Sequence, residues 1–194
     1  MPKPMDTPTS AAAQAGDNSD ALRVATSVLD ALVVDVTRAL FDSYGVKVDV
    51  DGSPAEVILR SAKLISSIGF SSDALGGSLL LAVTDDLLAK TLPASDASLA
   101  DWSGELSNQL LGRLKNQLLK YGVVVNLALP VVVSGGEFKL PGRRRPHTRH
   151  VGFVSEWGRV FIHTEMELCA NAQLVRQPET AGAASMDEGE FVLF

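Results

Sequence analysis

The sequence predicts an α+β domain: a largely antiparallel sheet packed against two long helices. Three observations carry that reading. Two long stretches place apolar residues at helical spacing, several short runs alternate or are wholly apolar, and tight turn signals join those runs as antiparallel neighbours. At 194 residues the chain is long enough for one domain with a substantial core and short for two.

Residues 20–44 set Leu22, Ala25, Val28, Leu29, Leu32, Val33, Val36, Leu40 and Phe41 at three- and four-residue steps. That is the first helix, and Gly45 supplies its stop. Residues 46–50 read Val-Lys-Val-Asp-Val, the two-residue period of a half-buried strand, and Asp51-Gly52 marks a turn. Residues 62–71 and 77–83 are two further strands around a turn at 73–76, with Gly76-Gly77 as a turn or a close strand approach. Residues 85–91 form a short helix ended by Pro93. A polar loop over 95–101 leads to the second long helix, 102–119, with Asp101 as its cap. After Tyr121-Gly122 the pattern predicts one strand over 123–133 and a loop over 134–149. A hairpin follows, its strands at 150–155 and 159–168 hinged at Glu156-Trp157-Gly158. Composition divides the chain into a disordered lead (1–19) without a secretory signal, a domain (20–176) and an acidic tail (177–194) whose last five residues are apolar enough to dock as a strand.

The net charge of -6 argues against general nucleic-acid binding, which needs a surplus of Lys and Arg. Protein or small-molecule partners are expected instead. The longest apolar run, 123–133, contains Asn126 and Pro130 and falls short of the ~20 residues of a membrane span, so no membrane residence is expected. The single cysteine, Cys169, rules out an intrachain disulfide and fits a reducing, cytoplasmic setting. It is expected to be a small buried hydrophobe at the end of a strand.

The second long helix carries the chemistry. Trp102, Leu106, Leu110, Leu111, Leu114 and Leu118 form a stripe for the core, and Glu105, Asn108 and Gly112 fall on the opposite side. Residues three apart are about 60° from one another around a helix, so the Glu105 carboxylate and the Asn108 carboxamide reach outward together. Gly inside a helix costs about 0.8–1 kcal/mol against Ala, and Gly112, one turn past Asn108, leaves a bare backbone patch that another molecule can approach.

Asp101-x-x-x-Glu105-x-x-Asn108, the Gly112 that follows, and Pro130 at the head of an apolar strand together resemble the signature of the CheC/CheX chemotaxis phosphatases. The likeness runs more loosely over residues 21–168. The chain has one Glu-x-x-Asn motif, which is similar to CheX, whereas CheC carries two. The resemblance implies a CheC-like fold and an enzyme that removes the phosphoryl group from the aspartate of a CheY-like response regulator, in chemotaxis or another two-component pathway. It implies Asn108 as the catalytic residue that orients water, and Glu105 as the group that pairs with the receiver's active-site lysine. Gly112, Gln109 and Asp101 join Glu105 as partner-binding positions. No cofactor is expected on this chain, Mg²⁺ being supplied by the receiver, and a homodimer is implied. The alternative is a non-catalytic adaptor of the same fold that binds receivers through this helix; a pure binder has no need of the amide.

Other candidates carry less. The run Gly142-Arg-Arg-Arg-Pro-His-Thr-Arg-His150 is read first as a solvated loop, and second as a patch that steers an acidic partner. His147 and His150 lack a neighbouring Cys or carboxylate in sequence to complete a metal set, and His163 reads as packing. Neither a Gly-x-Ser-x-Gly elbow nor a Gly-x-x-x-x-Gly-Lys loop occurs, so nothing anchors a serine hydrolase or a nucleotide binder.

Overall fold

The alternating and apolar runs assemble into one seven-stranded sheet in the computed structural model of the chain, which describes residues 10–93, 97–135, 138, 147–169, 174, 176 and 177. The strands are β1 Asp49–Asp51, β2 Leu64–Ser71, β3 Leu75–Val83, β4 Asn126–Leu127, β5 Val131–Ser134, β6 His147–Ser155 and β7 Gly158–Leu168. Their order is β1-β6-β7-β3-β2-β4, with β5 also on β2, and every pairing is antiparallel. The helices are α1 Ser10–Asp42, α2 Ala55–Ser61, α3 Asp85–Thr91 and α4 Leu99–Leu119. The predicted α+β class with two long helices is the class observed.

Strand alternation divides the core in two. Leu75, Leu79, Leu81 and Val83 of β3 and Val160, Ile162 and Met166 of β7 face the buried stripes of α1 and α4. Ala82 and Phe161 point the other way, onto Ile58, Leu59 and Ala62 of the α2 segment. That short helix was not foreseen, because seven residues offer less than two turns of periodicity to read.

Both long helices end in the same way. Val46 N–H donates to the Phe41 carbonyl at 3.0 Å and Gly45 N–H to Asp42 at 2.9 Å, while Val123 donates to Leu118 at 3.1 Å and Gly122 to Leu119 at 2.9 Å. Gly45 and Gly122 each have φ of 72°, so each tripeptide Tyr-Gly-Val closes a helix with a left-handed glycine.

Several expectations are corrected. α1 begins at Ser10, inside the segment read as a disordered lead. The strand expected over 46–50 pairs only from Asp49, because Val46 and Val48 are buried without joining the ladder. The single strand expected over 123–133 is two: Leu127 sits opposite Phe70 and Val131 opposite Ser67, so the outer strand carries one extra residue between them. Pro130, which has no N–H to donate, lies in that bulge. His147 and Arg149 lie in β6, not in a loop; Arg149 Nε is 3.0 Å from Asp30 Oδ2 of α1, and His147 Nδ1 is 3.2 Å from the Thr26 hydroxyl. Cys169 is exposed, because Met166 and Leu168 take the inward positions and the chain leaves the strand there. Arg143 to Arg145 and the apolar C-terminal residues lie outside the described residues. No helix among the described residues is long and apolar enough to cross a membrane.

Candidate functional site on helix α4

α4 is laid onto the sheet by small side chains. Ser66 of β2 donates to the Ser103 carbonyl at 3.0 Å and shares a short hydrogen bond with the Ser107 hydroxyl, all three serines being buried. A methyl on Gly104 would sit 3.3 Å from Val132 Cγ2 and 3.7 Å from Pro130 Cγ, so the helix backbone rests on the β4–β5 bulge. The helix is thus fixed by its inner face one residue before Glu105. Trp102 adds a second anchor, with its indole N–H donating to Thr91 Oγ1 at 3.0 Å.

The predicted stripe is buried throughout: Trp102, Leu106, Leu110, Leu111, Leu114 and Leu118. Glu105, Asn108, Gln109 and Gly112 are each half-buried on the other side. The Asn108 carboxamide has no hydrogen-bond partner among the described residues. Glu105 is different: its Oε1 accepts from Gln109 Nε2 at 3.0 Å, and Gln109 Oε1 in turn accepts from the Tyr44 hydroxyl at 2.6 Å. Tyr44 comes from the turn that ends α1 and also meets the Trp102 ring edge-on, with centroids 5.4 Å apart. Sequence reading missed it, since no local pattern ties a tyrosine to a motif this far along the chain.

Asp101 is placed otherwise than expected. The helix starts at Leu99, so the cap is Ser98, whose hydroxyl accepts from Asp101 N–H at 3.1 Å. The exposed Asp101 carboxylate accepts the Ser98 hydroxyl proton at 2.6 Å, which orients that hydroxyl's lone pair toward the Asp101 N–H it caps. Both of its contacts with Ser98 belong to the start of the helix.

A methyl built on Gly112 meets nothing within 4 Å. Gly112→Ala is therefore expected to stabilise the free protein by about 0.8–1 kcal/mol, raising its melting temperature by roughly 2–4 °C. A calorimetric scan checks this, and a fall would mean the open face is not open. Among the described residues no three His, Cys, Asp or Glu side chains are grouped to hold a metal ion.

Residues 64–153 match the family model of the chemotaxis phosphatase CheX, a span that includes all of α4 and leaves out α1. No curated protein matches the chain. Among solved structures, the CheX chemotaxis protein from Vibrio vulnificus aligns with a TM-score of 0.60 at 21% identity, over 70% of this chain and 96% of that one. A CheC-like superfamily protein from Shewanella sp. PV-4 aligns at 0.58 and 22% identity, over 72% of this chain and 97% of that one. CheX in a CheX–CheY–BeF3–Mg²⁺ complex from Borrelia burgdorferi aligns at 0.51 and 12% identity, over 72% and 95%. At these identities the likeness is one of fold. The chain is thus similar to CheX in sequence over residues 64–153, and to CheX and CheC-like proteins in fold over 70–72% of its length.

Proposed function

We propose that this protein is a phosphatase that hydrolyses the phosphoaspartate of a CheY-like receiver domain, with α4 as the surface presented to the receiver. The observation that carries the reading is the state of Asn108: a half-buried carboxamide on the open face of a firmly seated helix, with neither end engaged by the described residues. An acyl phosphate is already activated, so hydrolysis mainly requires a water held in line with phosphorus and kept there. A carboxamide suits that task, accepting a water proton at its oxygen and donating from its nitrogen, at no particular pH. Water oxygen bonds to phosphorus as the P–O bond to the aspartate breaks, yielding free carboxylate and inorganic phosphate. Mg²⁺ belongs to the receiver in this scheme.

Glu105 supplies the grip. Its free Oε2 meets the receiver's lysine in a charge-assisted contact, which strengthens as the interface excludes water. Gly112 lets the receiver's surface close on the helix, so the Ala variant that stabilises the free protein should bind the receiver less well. Phosphate release from a phosphorylated receiver tests the reading: substoichiometric amounts of the protein should accelerate it well above the spontaneous rate. A rate equal to that of the receiver alone would leave only a binding module.

The homodimer implied by the resemblance belongs to the same proposal. Val131 and Val133 on β5 are 62% and 51% exposed beside Leu129 at 87%, an apolar sheet edge of the kind that pairs with another strand. Sedimentation equilibrium is expected to return twice the 20.5 kDa chain mass; monomer at all concentrations would remove the dimer.

A further inference from the structure

The hydrogen bonds around Glu105 have only one consistent polarity. A carboxylate accepts and never donates, so the Gln109 group facing Glu105 must be its NH₂. The Gln109 oxygen therefore faces Tyr44, and the Tyr44 hydroxyl must donate to it. The result is a directed chain, Tyr44 O–H to Gln109 Oε1 at 2.6 Å and Gln109 Nε2–H to Glu105 Oε1 at 3.0 Å. Its origin is rigid. Tyr44 lies in the capped end of α1, and its ring is held against Trp102, which is itself tied to Thr91. Ser43 beside it meets Arg113 of α4, Nη2 to Oγ at 3.4 Å, so the end of α1 leans on α4 at two successive turns.

We propose that Tyr44 is a positioning residue of the site: through Gln109 its hydroxyl pins one oxygen of Glu105 and leaves the other aimed at the cationic group of a docking receiver. This rests on the reading that Glu105 meets such a group. Glutamate has a long side chain whose rotamer freedom must be surrendered when it grips a partner. Here that freedom is given up in the free protein, before any partner arrives. Tyr44 lies outside the span that matches the CheX model, so the site includes a residue contributed from beyond that segment.

The test compares steady-state dephosphorylation of a phosphorylated CheY-like receiver by wild type, Tyr44→Phe, Glu105→Ala and the double variant. Phenylalanine keeps the ring against Trp102 and removes only the hydroxyl. Tyr44→Phe is expected to raise KM roughly three- to tenfold, the worth of one net hydrogen bond, while kcat stays within about twofold. In the Glu105→Ala background the same change should add nothing. An unchanged KM, or an equal increase in both backgrounds, overturns the proposal, because the hydroxyl would then act elsewhere. A second readout needs no partner: the Gln109 side-chain amide signals in ¹H–¹⁵N spectra of the free protein should move in Tyr44→Phe while the Trp102 indole signal stays. Static Gln109 signals overturn the chain of bonds itself. If Glu105→Ala alone leaves KM unchanged, the docking role of Glu105 falls and the purpose given to Tyr44 falls with it, even where the Gln109 signals move as expected.

Discussion

Asn108→Ala is expected to slow receiver dephosphorylation by about 100-fold or more at saturating substrate while leaving KM within a few-fold. The magnitude follows from what positioning is worth: misplacing the reacting water by about 1 Å costs on the order of 100-fold, and removing the amide releases the water altogether. The loss should be chemical and not a failure to fold. Asn108 is half-buried and its side chain has no hydrogen-bond partner among the described residues, so its truncation leaves none of them unsatisfied. A change in stability within about 0.5 kcal/mol is expected. Asn108→Asp sharpens the test. It keeps the shape, loses the donor, and sets a second negative charge one turn from Glu105, so it should be no better than alanine. Stopped-flow phosphate release and a denaturation curve on the same preparations decide the matter. Full activity in Asn108→Ala would mean the water is held by another group.

The largest effect on stability is expected at Gly77, far from that chemistry. Gly77 sits in β3 opposite Met166 of β7, the central pairing of the sheet. A methyl on Gly77 would overlap the Glu165 carbonyl oxygen and touch Met166 Cα at 3.0 Å. Both neighbours are backbone, so no rotamer change relieves the clash and the ladder must part. Gly77→Ala should cost on the order of 3 kcal/mol, a large share of the roughly 5–15 kcal/mol that holds a domain folded. The midpoint of urea unfolding reports it directly. An unaltered midpoint would show that the two strands can separate locally without loss.

How much of this was legible in the sequence depends on the range of each interaction. The leucine stripe of α4 and the outward face of Glu105 and Asn108 follow from periodicity within one helix, and both are found as read. α3 is found at Asp85–Thr91 as expected, since a paired aspartate opens it and Pro93 closes it. The Val-Lys-Val-Asp-Val run predicts a longer strand than forms, because alternation reports burial and says nothing of which backbone groups find a ladder. Pro130 stands at the head of a strand, yet its missing N–H also breaks the run before it. The apolar pattern starts the helix at Trp102 and so points to Asp101 as its cap, because it does not show the residues from Leu99 that precede it. Tyr44 lay beyond reach. Its link to Gln109 spans 65 positions and depends on how two helices pack, which no local pattern encodes.

The glycine cap of α1 makes the length of that helix part of the site. Gly45 and the two hydrogen bonds that close the turn need nothing from the side chain just before them, so that position is free to serve another purpose. In α4 the equivalent Tyr121 merely packs on the core, whereas Tyr44 delivers a hydroxyl. Helical residues advance by about 100° each, so one residue gained or lost upstream within α1 would swing that hydroxyl to another side while the cap re-formed unharmed. The stop signal thus works as a phase marker: where the first helix ends decides which way the second helix's glutamate points.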